Sequence, residues 1–163
     1  MQKVLYILIG PKGAGKTYIG SRLERNTNIH FLRVEPIWLK LAPDENGWVA
    51  VEQAIERAFG QYDEVIIESL GAGFEFERLN SSLQEKYEVK LVKVSTNLEE
   101  CLRRVRNRDN SDHIPVSDEK VREYNKIAAS INRKWDAIVD NNGPATDEEI
   151  LQVIKSLRPA SSN

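Results

Sequence analysis

The sequence predicts an α/β fold in which a parallel sheet of five strands carries helices on both faces. Short apolar runs recur along the chain, at Val4–Ile9, Ile29–Val34, Val65–Glu68, Val89–Val94 and Asp136–Asp140. Between them lie segments whose apolar residues fall at helical spacing. Strands alternating with helices need crossover connections, and crossovers of this kind produce parallel sheets. The length of 163 residues matches one domain, about 100 to 200 residues being usual, so a single unit over residues 1–163 is expected.

Each element has its own signal. Val4-Leu5-Tyr6-Ile7-Leu8-Ile9 is an apolar β run, and the helix that starts near Lys16 carries Ile19 and Leu23 at i, i+4 before ending near Asn26–Asn28. Ile29–Val34 alternates as a second strand, and Glu35-Pro36 follows it, the proline barring simple continuation. Residues 37–46 read as an irregular or partly helical insert before a helix over Val49–Phe59. Val65-Ile66-Ile67-Glu68 is short and apolar enough for a buried strand. After the turn Ser69–Gly73, a helix covers Glu75–Lys86 with Phe76, Leu79 and Leu83 on one face, and the strand Val89–Val94 comes next. Leu98, Cys101, Leu102 and Val105 mark an amphipathic helix, in which Cys101 is either packed core or a reactive thiol. Ser117 caps a helix with Val121, Tyr124, Ala128 and Ile131 inside. After the strand Asp136–Asp140, Thr146 and Glu149 form the capping box of a last helix, ended by Pro159, and residues 160–163 are expected to fray.

One loop carries chemistry. Gly10-Pro11-Lys12-Gly13-Ala14-Gly15-Lys16-Thr17 satisfies G-x-x-x-x-G-K-[ST] between a strand and a helix, the setting that makes it a Walker A loop. Its glycines let backbone N–H groups turn inward around a polyphosphate, and the helix dipole adds positive potential there. Lys16 is expected to reach the β- and γ-phosphates and Thr17 to hold Mg²⁺, with Tyr18 counted among the nucleotide-binding residues. The expected fold is therefore the three-layer P-loop NTPase fold with a small lid, and the expected cofactors are ATP and Mg²⁺.

In such sheets ligands lie at the carboxyl ends of the strands, where Glu35, Glu68 and the loop all fall. Glu68, beside the Walker strand, suits a metal-ordering acid, with an end cap or ion-pair partner as its alternative; Glu35 suits a general base on an acceptor, and the two compete for that role. Arg103, Arg104, Arg106 and Arg108 crowd one helix end before a polar segment, the lid of about 107–117. They read either as a solvated surface balanced by Glu99, Glu100 and Asp109 or, for Arg104 and Arg108 on one helix edge, as cations over the phosphates. His113 reads as an exposed lid residue and His30 as a strand-edge residue.

Composition narrows the partners. A formal charge of −2 supplies no global positive field to hold nucleic acid nonspecifically. The single cysteine excludes an internal disulfide, the N-terminus runs into a strand instead of a signal peptide, and no apolar run approaches the ~18 residues of a membrane span. A cytoplasmic enzyme without a membrane partner is expected.

The order of Walker loop, acid after the second strand, Arg-rich lid, proline and helix resembles the small P-loop kinases that phosphorylate hydroxyls, including gluconate and shikimate kinases. A closer resemblance is to polynucleotide 5'-hydroxyl kinases. It rests on Val65-Ile66-Ile67-Glu68, Glu77-Arg78, Cys101-Leu102-Arg103-Arg104-Val105-Arg106-Asn107-Arg108, Ile114-Pro115-Val116 and Val121-Arg122-Glu123-Tyr124, and it spans about Val4 to Tyr124. The resemblance implies that Glu35 is the general base, that Arg108 with Arg104 behind it is the lid cation, and that Asn141-Asn142-Gly143 is an adenine-contacting loop. Where those kinases carry an aspartate and, three residues on, an arginine, this chain has Glu35 and Trp38. Trp38 and Trp48 read as packing residues or as a surface on which a base or sugar stacks. The acceptor implied is a polynucleotide 5'-hydroxyl or a small metabolite. A nucleotide-binding switch without transfer is a further alternative, and a nucleoside monophosphate kinase is disfavoured because no pair of arginines lies between strands two and three.

Overall fold

A computed structural model describes residues 2–108 and 114–158 of the chain. Its elements are β1 (Val4–Ile9), α1 (Lys16–Asn26), β2 (His30–Phe31), α2 (Glu35–Leu39), α3 (Gly47–Phe59), β3 (Glu64–Ser69), α4 (Phe74–Lys86), β4 (Glu88–Ser95), α5 (Leu98–Asn107), α6 (Asp118–Ser130), β5 (Ala137–Asp140) and α7 (Asp147–Leu157). The five strands run parallel in the order β2-β3-β1-β4-β5. The parallel sheet of five strands is what the alternation of elements predicts; the strand order comes from the structure.

The central strand explains the layers. All six residues of β1 are buried, and alternate side chains leave opposite faces of a strand. Tyr6 and Leu8 pack with Ile19 and Leu23 of α1 and Ile150 and Ile154 of α7. Leu5, Ile7 and Ile9 pack with Val51 and Ile55 of α3 and Phe76 and Leu83 of α4. Beyond the sheet, Cys101, Leu102 and Val105 of α5 meet Val121 of α6. The Cys101 thiol is fully buried there and burial pushes its pKa up, which is the condition of a packed cysteine and the opposite of a reactive one.

Two expectations are corrected in detail. The second strand is only His30–Phe31, because Glu35 and Pro36 open the short helix α2, where a proline in the first turn fixes φ and needs no N–H partner. The insert at 37–46 thus contains most of a helix, and α3 starts at Gly47 because the Asn46 side chain accepts from the N–H groups of Trp48 and Val49 at 3.0 and 3.3 Å. The expected caps form at Ser117 and Thr146, whose hydroxyls accept from Lys120 N and Glu149 N. Residues 109–113, with Asp109 and His113 in the expected lid, and Pro159 with the tail 160–163 lie outside the described residues. Among the described residues no helix is long and apolar enough to cross a membrane.

One polar group is built into the core. Tyr6 is fully buried and its hydroxyl donates to Glu64 Oε2 at 2.6 Å, while Arg158 Nη2 holds the other oxygen of the same carboxylate at 3.0 Å. Tyr6→Phe removes a donor from an acceptor that keeps its arginine, so we expect a loss of about 0.5–1.5 kcal/mol in urea unfolding. A loss several times larger would show that the hydroxyl organises the sheet itself.

Candidate active site

The Walker loop is shaped by contacts that admit only glycine at two positions. Gly13 has φ +85°, and a Cβ there would lie 2.5 Å from the Cys101 carbonyl oxygen; Gly15 has φ +98°, and its Cβ would lie 2.0 Å from Asn141 Nδ2. Side chains rarely adopt that backbone region even where space exists. The loop delivers the chain into α1, so Gly13, Gly15 and the first helical residues Lys16 and Thr17 line the same hollow.

Ala14 anchors the loop. Its carbonyl accepts from Thr96 Oγ1 at 2.8 Å, Asn141 Nδ2 at 2.9 Å and Arg104 Nη1 at 3.1 Å. Asn141 Oδ1 accepts from Ala145 N at 2.9 Å, and Arg104 also donates to the Asn141 carbonyl at 2.5 Å and to Glu100 Oε1 at 3.0 Å. Asn141 and Arg104 therefore tie the loop after β1 to the loop after β5. Tyr18 joins the same tie by donating to the Ala145 carbonyl at 2.9 Å, and Asn142 Oδ1 accepts from Asn97 N at 2.7 Å. Gly143 lies in the same β5–α7 connection, with open space where a Cβ would stand.

Lys16 is folded back onto its own loop, donating to the Gly10 carbonyl at 2.5 Å. Burial lowers its pKa to about 8; Glu68 opposes that shift, Lys12 adds to it and Glu35 opposes it. The Thr17 hydroxyl donates to Glu68 Oε2 at 3.0 Å. Glu68 is buried, its Oε1 accepts no hydrogen bond among the described residues, and Arg33 Nε stands 3.9 Å from that oxygen. A buried carboxylate oxygen without a hydrogen bond, next to a hydroxyl, suits a hard cation such as Mg²⁺, which takes oxygen ligands from one or two carboxylates and from substrate phosphates. No cluster of three or more His, Cys, Asp or Glu side chains that could cage a metal occurs among the described residues.

Glu35, also buried, accepts from Ile114 N at 2.8 Å and pairs with Lys12 Nζ at 3.2 Å. Arg108 Nη2 donates to the Ile114 carbonyl at 3.1 Å, and its buried Nε has no hydrogen-bond partner among the described residues. The remaining arginines of the helix are engaged elsewhere: Arg103 is exposed and paired with Glu100, and Arg106 with Asp118.

Two cavities open here. One, of about 140 Å³, is lined by Gly13, Gly15, Lys16, Thr17, Arg104 and Arg108 among others. A second, of about 300 Å³, extends toward Trp38, Trp48, Val51, Phe76, Leu79 and Tyr124. Lys12, Lys16, Glu35 and Glu68 line both. The structure thus brings Lys16, Thr17, Glu35, Glu68, Arg104 and Arg108 into one hollow, and places Asn141 and Tyr18 behind the loop, bonded to backbone. Sequence reasoning passed over the wall of the larger cavity, because Val51, Phe76, Leu79 and Tyr124 each sit on the inner face of a helix and look like ordinary core.

No protein-family model matches the sequence, and among curated proteins no match is found. Solved structures are similar in fold. The structure of the Pnkp1/Rnl/Hen1 RNA repair complex matches with TM-score 0.66 and 16% identity over 78% of this chain, which spans 44% of that one. Shikimate kinase from Acinetobacter baumannii in complex with shikimate matches with TM-score 0.61 and 19% identity, over 96% of this chain and 94% of that one. Kti12 from Chaetomium thermophilum in complex with ADP-AlF3 matches with TM-score 0.67 and 16% identity, over 94% and 96%.

The Lys16 shift has a measurable consequence. Below about pH 8 the ammonium is charged in folded and unfolded chain alike, and the folded state bears the full desolvation penalty. Between about 8 and the ordinary value of 10.5 the unfolded chain binds more protons, so this group's contribution to stability improves as pH rises. Lys16→Met should therefore raise the thermal midpoint of nucleotide-free protein at pH 7, and its advantage over wild type should shrink between pH 8 and 10. An advantage that does not change with pH would remove the buried-ammonium explanation. From this loop, crevice and strand order, supported by the solved neighbours, the chain has the α/β fold of the P-loop NTPases, three layers around a parallel five-stranded sheet.

Proposed function

We propose that this protein is an ATP-dependent, Mg²⁺-requiring kinase that transfers the γ-phosphoryl group to a hydroxyl acceptor, with the whole chain as one kinase domain working in the cytoplasm and a lid at about 107–117. The observation that carries the reading is that Glu35, Glu68, Lys12 and Lys16 line both cavities. A carboxylate then stands at the boundary between a phosphate site and a separate space for an acceptor, as in-line transfer requires.

In this reading Gly10 to Thr17 wrap the phosphates, Lys16 leaves the Gly10 carbonyl for the β- and γ-oxygens, and Asn142 and Gly143, with Asn141 behind them, border the adenine. Thr17 and Glu68 hold Mg²⁺, which supplies charge neutralisation on the phosphates. Glu35 orients the acceptor hydroxyl and takes its proton. The acceptor oxygen forms a bond to the γ-phosphorus as the bond from that phosphorus to the β–γ bridging oxygen breaks, and ADP departs with that electron pair. Arg108, which lines the phosphate cavity and whose Nε has no hydrogen-bond partner among the described residues, meets charge that develops during transfer. Arg104 acts through the loop it holds.

A second reading has one observation in its favour. Trp38 and Trp48 stand edge to face with ring centroids 5.6 Å apart, a pair on which a base could stack, so a polynucleotide 5'-hydroxyl is the alternative acceptor. A switch that binds ATP without transfer is the reading in which the larger cavity is never used.

Label transfer from ATP to a panel of alcohols and 5'-hydroxyl oligonucleotides, with 5'-phosphorylated oligonucleotides as controls, decides among these. Glu35→Gln keeps the shape and removes the base, and should lower transfer about 10² to 10⁴-fold with ATP binding nearly unchanged. Full activity in that variant would move the base role to Glu68. Arg108→Ala should lower turnover more than ATP affinity, and an equal loss of both would place Arg108 in ground-state binding.

A further inference from the structure

The larger cavity has its charges at one end only. Lys12, Lys16, Glu35 and Glu68, shared with the phosphate site, are the ionisable acid and base groups in its lining, and no arginine or histidine lines it among the described residues. Two of those four are already paired with each other, Lys12 with Glu35 at 3.2 Å, and Lys16 belongs to the phosphates. The rest of the described wall is apolar but for Ser69 and the Tyr124 hydroxyl, with the rings of Trp38, Trp48, Phe76 and Tyr124 set among aliphatic side chains such as Val51 and Leu79. A Cβ on Gly47 would lie 2.1 Å from the Trp38 ring, so the start of α3 lies close against the indole.

An acceptor placed here must bring its own chemistry into line with that wall. Among the described lining residues no arginine or histidine stands ready to pair with a carboxylate or phosphate on its body, and an unpaired charge desolvated there would cost several kcal/mol. A polyol would leave hydroxyls facing hydrocarbon, with Ser69 and Tyr124 the only hydroxyl-bearing side chains among the described lining residues. A flat apolar body gains burial and offset or edge contact with the indoles. At about 300 Å³ the space is at the lower end of small-molecule sites, roughly 300–1,000 Å³, enough for one or two rings.

We propose that the acceptor is an uncharged alcohol with an aromatic or similarly flat apolar body, its ring in the Trp38–Trp48 wall and its hydroxyl presented to Glu35. This rests on the kinase reading for its chemistry and on the cavity alone for its binding. The transfer is the one already described: the alcohol oxygen bonds to the γ-phosphorus, its proton passes to Glu35, and ADP leaves.

Binding and transfer are measured separately. Tryptophan fluorescence of the full chain, saturated with a non-hydrolysable ATP analogue, is titrated with 2-phenylethanol and 2-naphthylmethanol, and in parallel with glucose, shikimate and a 5'-hydroxyl oligonucleotide. The same compounds are tested as acceptors of label from ATP. We expect the aryl alcohols to bind and to accept phosphate at least about tenfold better than the others, a difference of about 1.4 kcal/mol. Trp38→Ala should weaken aryl-alcohol binding about tenfold or more, and Val51→Phe, which fills the cavity, should do the same; either variant counts once its ATP affinity shows that it is folded. Aryl-alcohol binding without transfer to any compound supports the cavity assignment and overturns the kinase reading. Preferential binding or transfer of the sugar, the carboxylate or the oligonucleotide overturns the aromatic acceptor and leaves the kinase. Absence of any aryl-alcohol binding overturns the proposal whatever the transfer assay reads.

Discussion

The carbonyl of Ala14 is the point on which this structure depends. A single oxygen in the middle of the phosphate loop receives a threonine from the end of β4, an asparagine from the end of β5 and an arginine from α5. A glycine-rich loop alone is among the more flexible pieces of a chain, since glycine loses more conformational freedom on ordering than any other residue. Here that entropy is offset by bonds from three elements, and the backbone of Cys101 presses on Gly13 from the same side. The loop is thereby preorganised for an anion, and its donors need little reorganisation when charge arrives.

The same preorganisation explains how the charges at the site are held. Lys16 rests on a backbone carbonyl and Lys12 on Glu35, while Thr17 rests on Glu68. The Lys16 partner is weaker than a polyphosphate, because a charge-assisted bond to a phosphate oxygen is stronger than one to a neutral carbonyl, whereas Lys12 and Thr17 rest on carboxylates. Nucleotide entry in this reading is an exchange of partners instead of a construction of the site. The contact from Ile114 N to Glu35 links the position of Ile114 to the environment of that carboxylate.

Arg104 and Arg108, expected on one helix edge, acquire different work because α5 ends at Asn107 and Arg108 stands past it as an extended C-cap residue. Arg104 lies over the backbone carbonyls of Gly13, Ala14 and Asn141 and is occupied by them. Arg108, one turn further, keeps its Nε without a hydrogen bond at the phosphate cavity among the described residues. The expected basic cluster is also smaller in effect than its spelling suggests, since Arg103 and Arg106 answer Glu100 and Asp118. Aromatic packing beside the loop, not a positive surface, is what distinguishes the larger cavity.

Local chemistry by itself determined a good deal here. The alternation of apolar runs, the Walker spacing after β1, and the caps at Ser117 and Thr146 are all short-range, so strand order aside the α/β architecture and the phosphate site were legible from neighbouring residues. The short helix at Glu35 and the early start of α3 were missed because a proline and an asparagine act at single positions that periodicity averages out. Only the tertiary structure decided that Asn141 serves the loop, that Lys12 faces Glu35, and that two tryptophans from α2 and α3 join a phenylalanine from α4 and a tyrosine from α6 around one cavity. Those contacts link residues tens of positions apart, and burial on a helix face looks the same in sequence whether the face meets a core or a space left for a ligand.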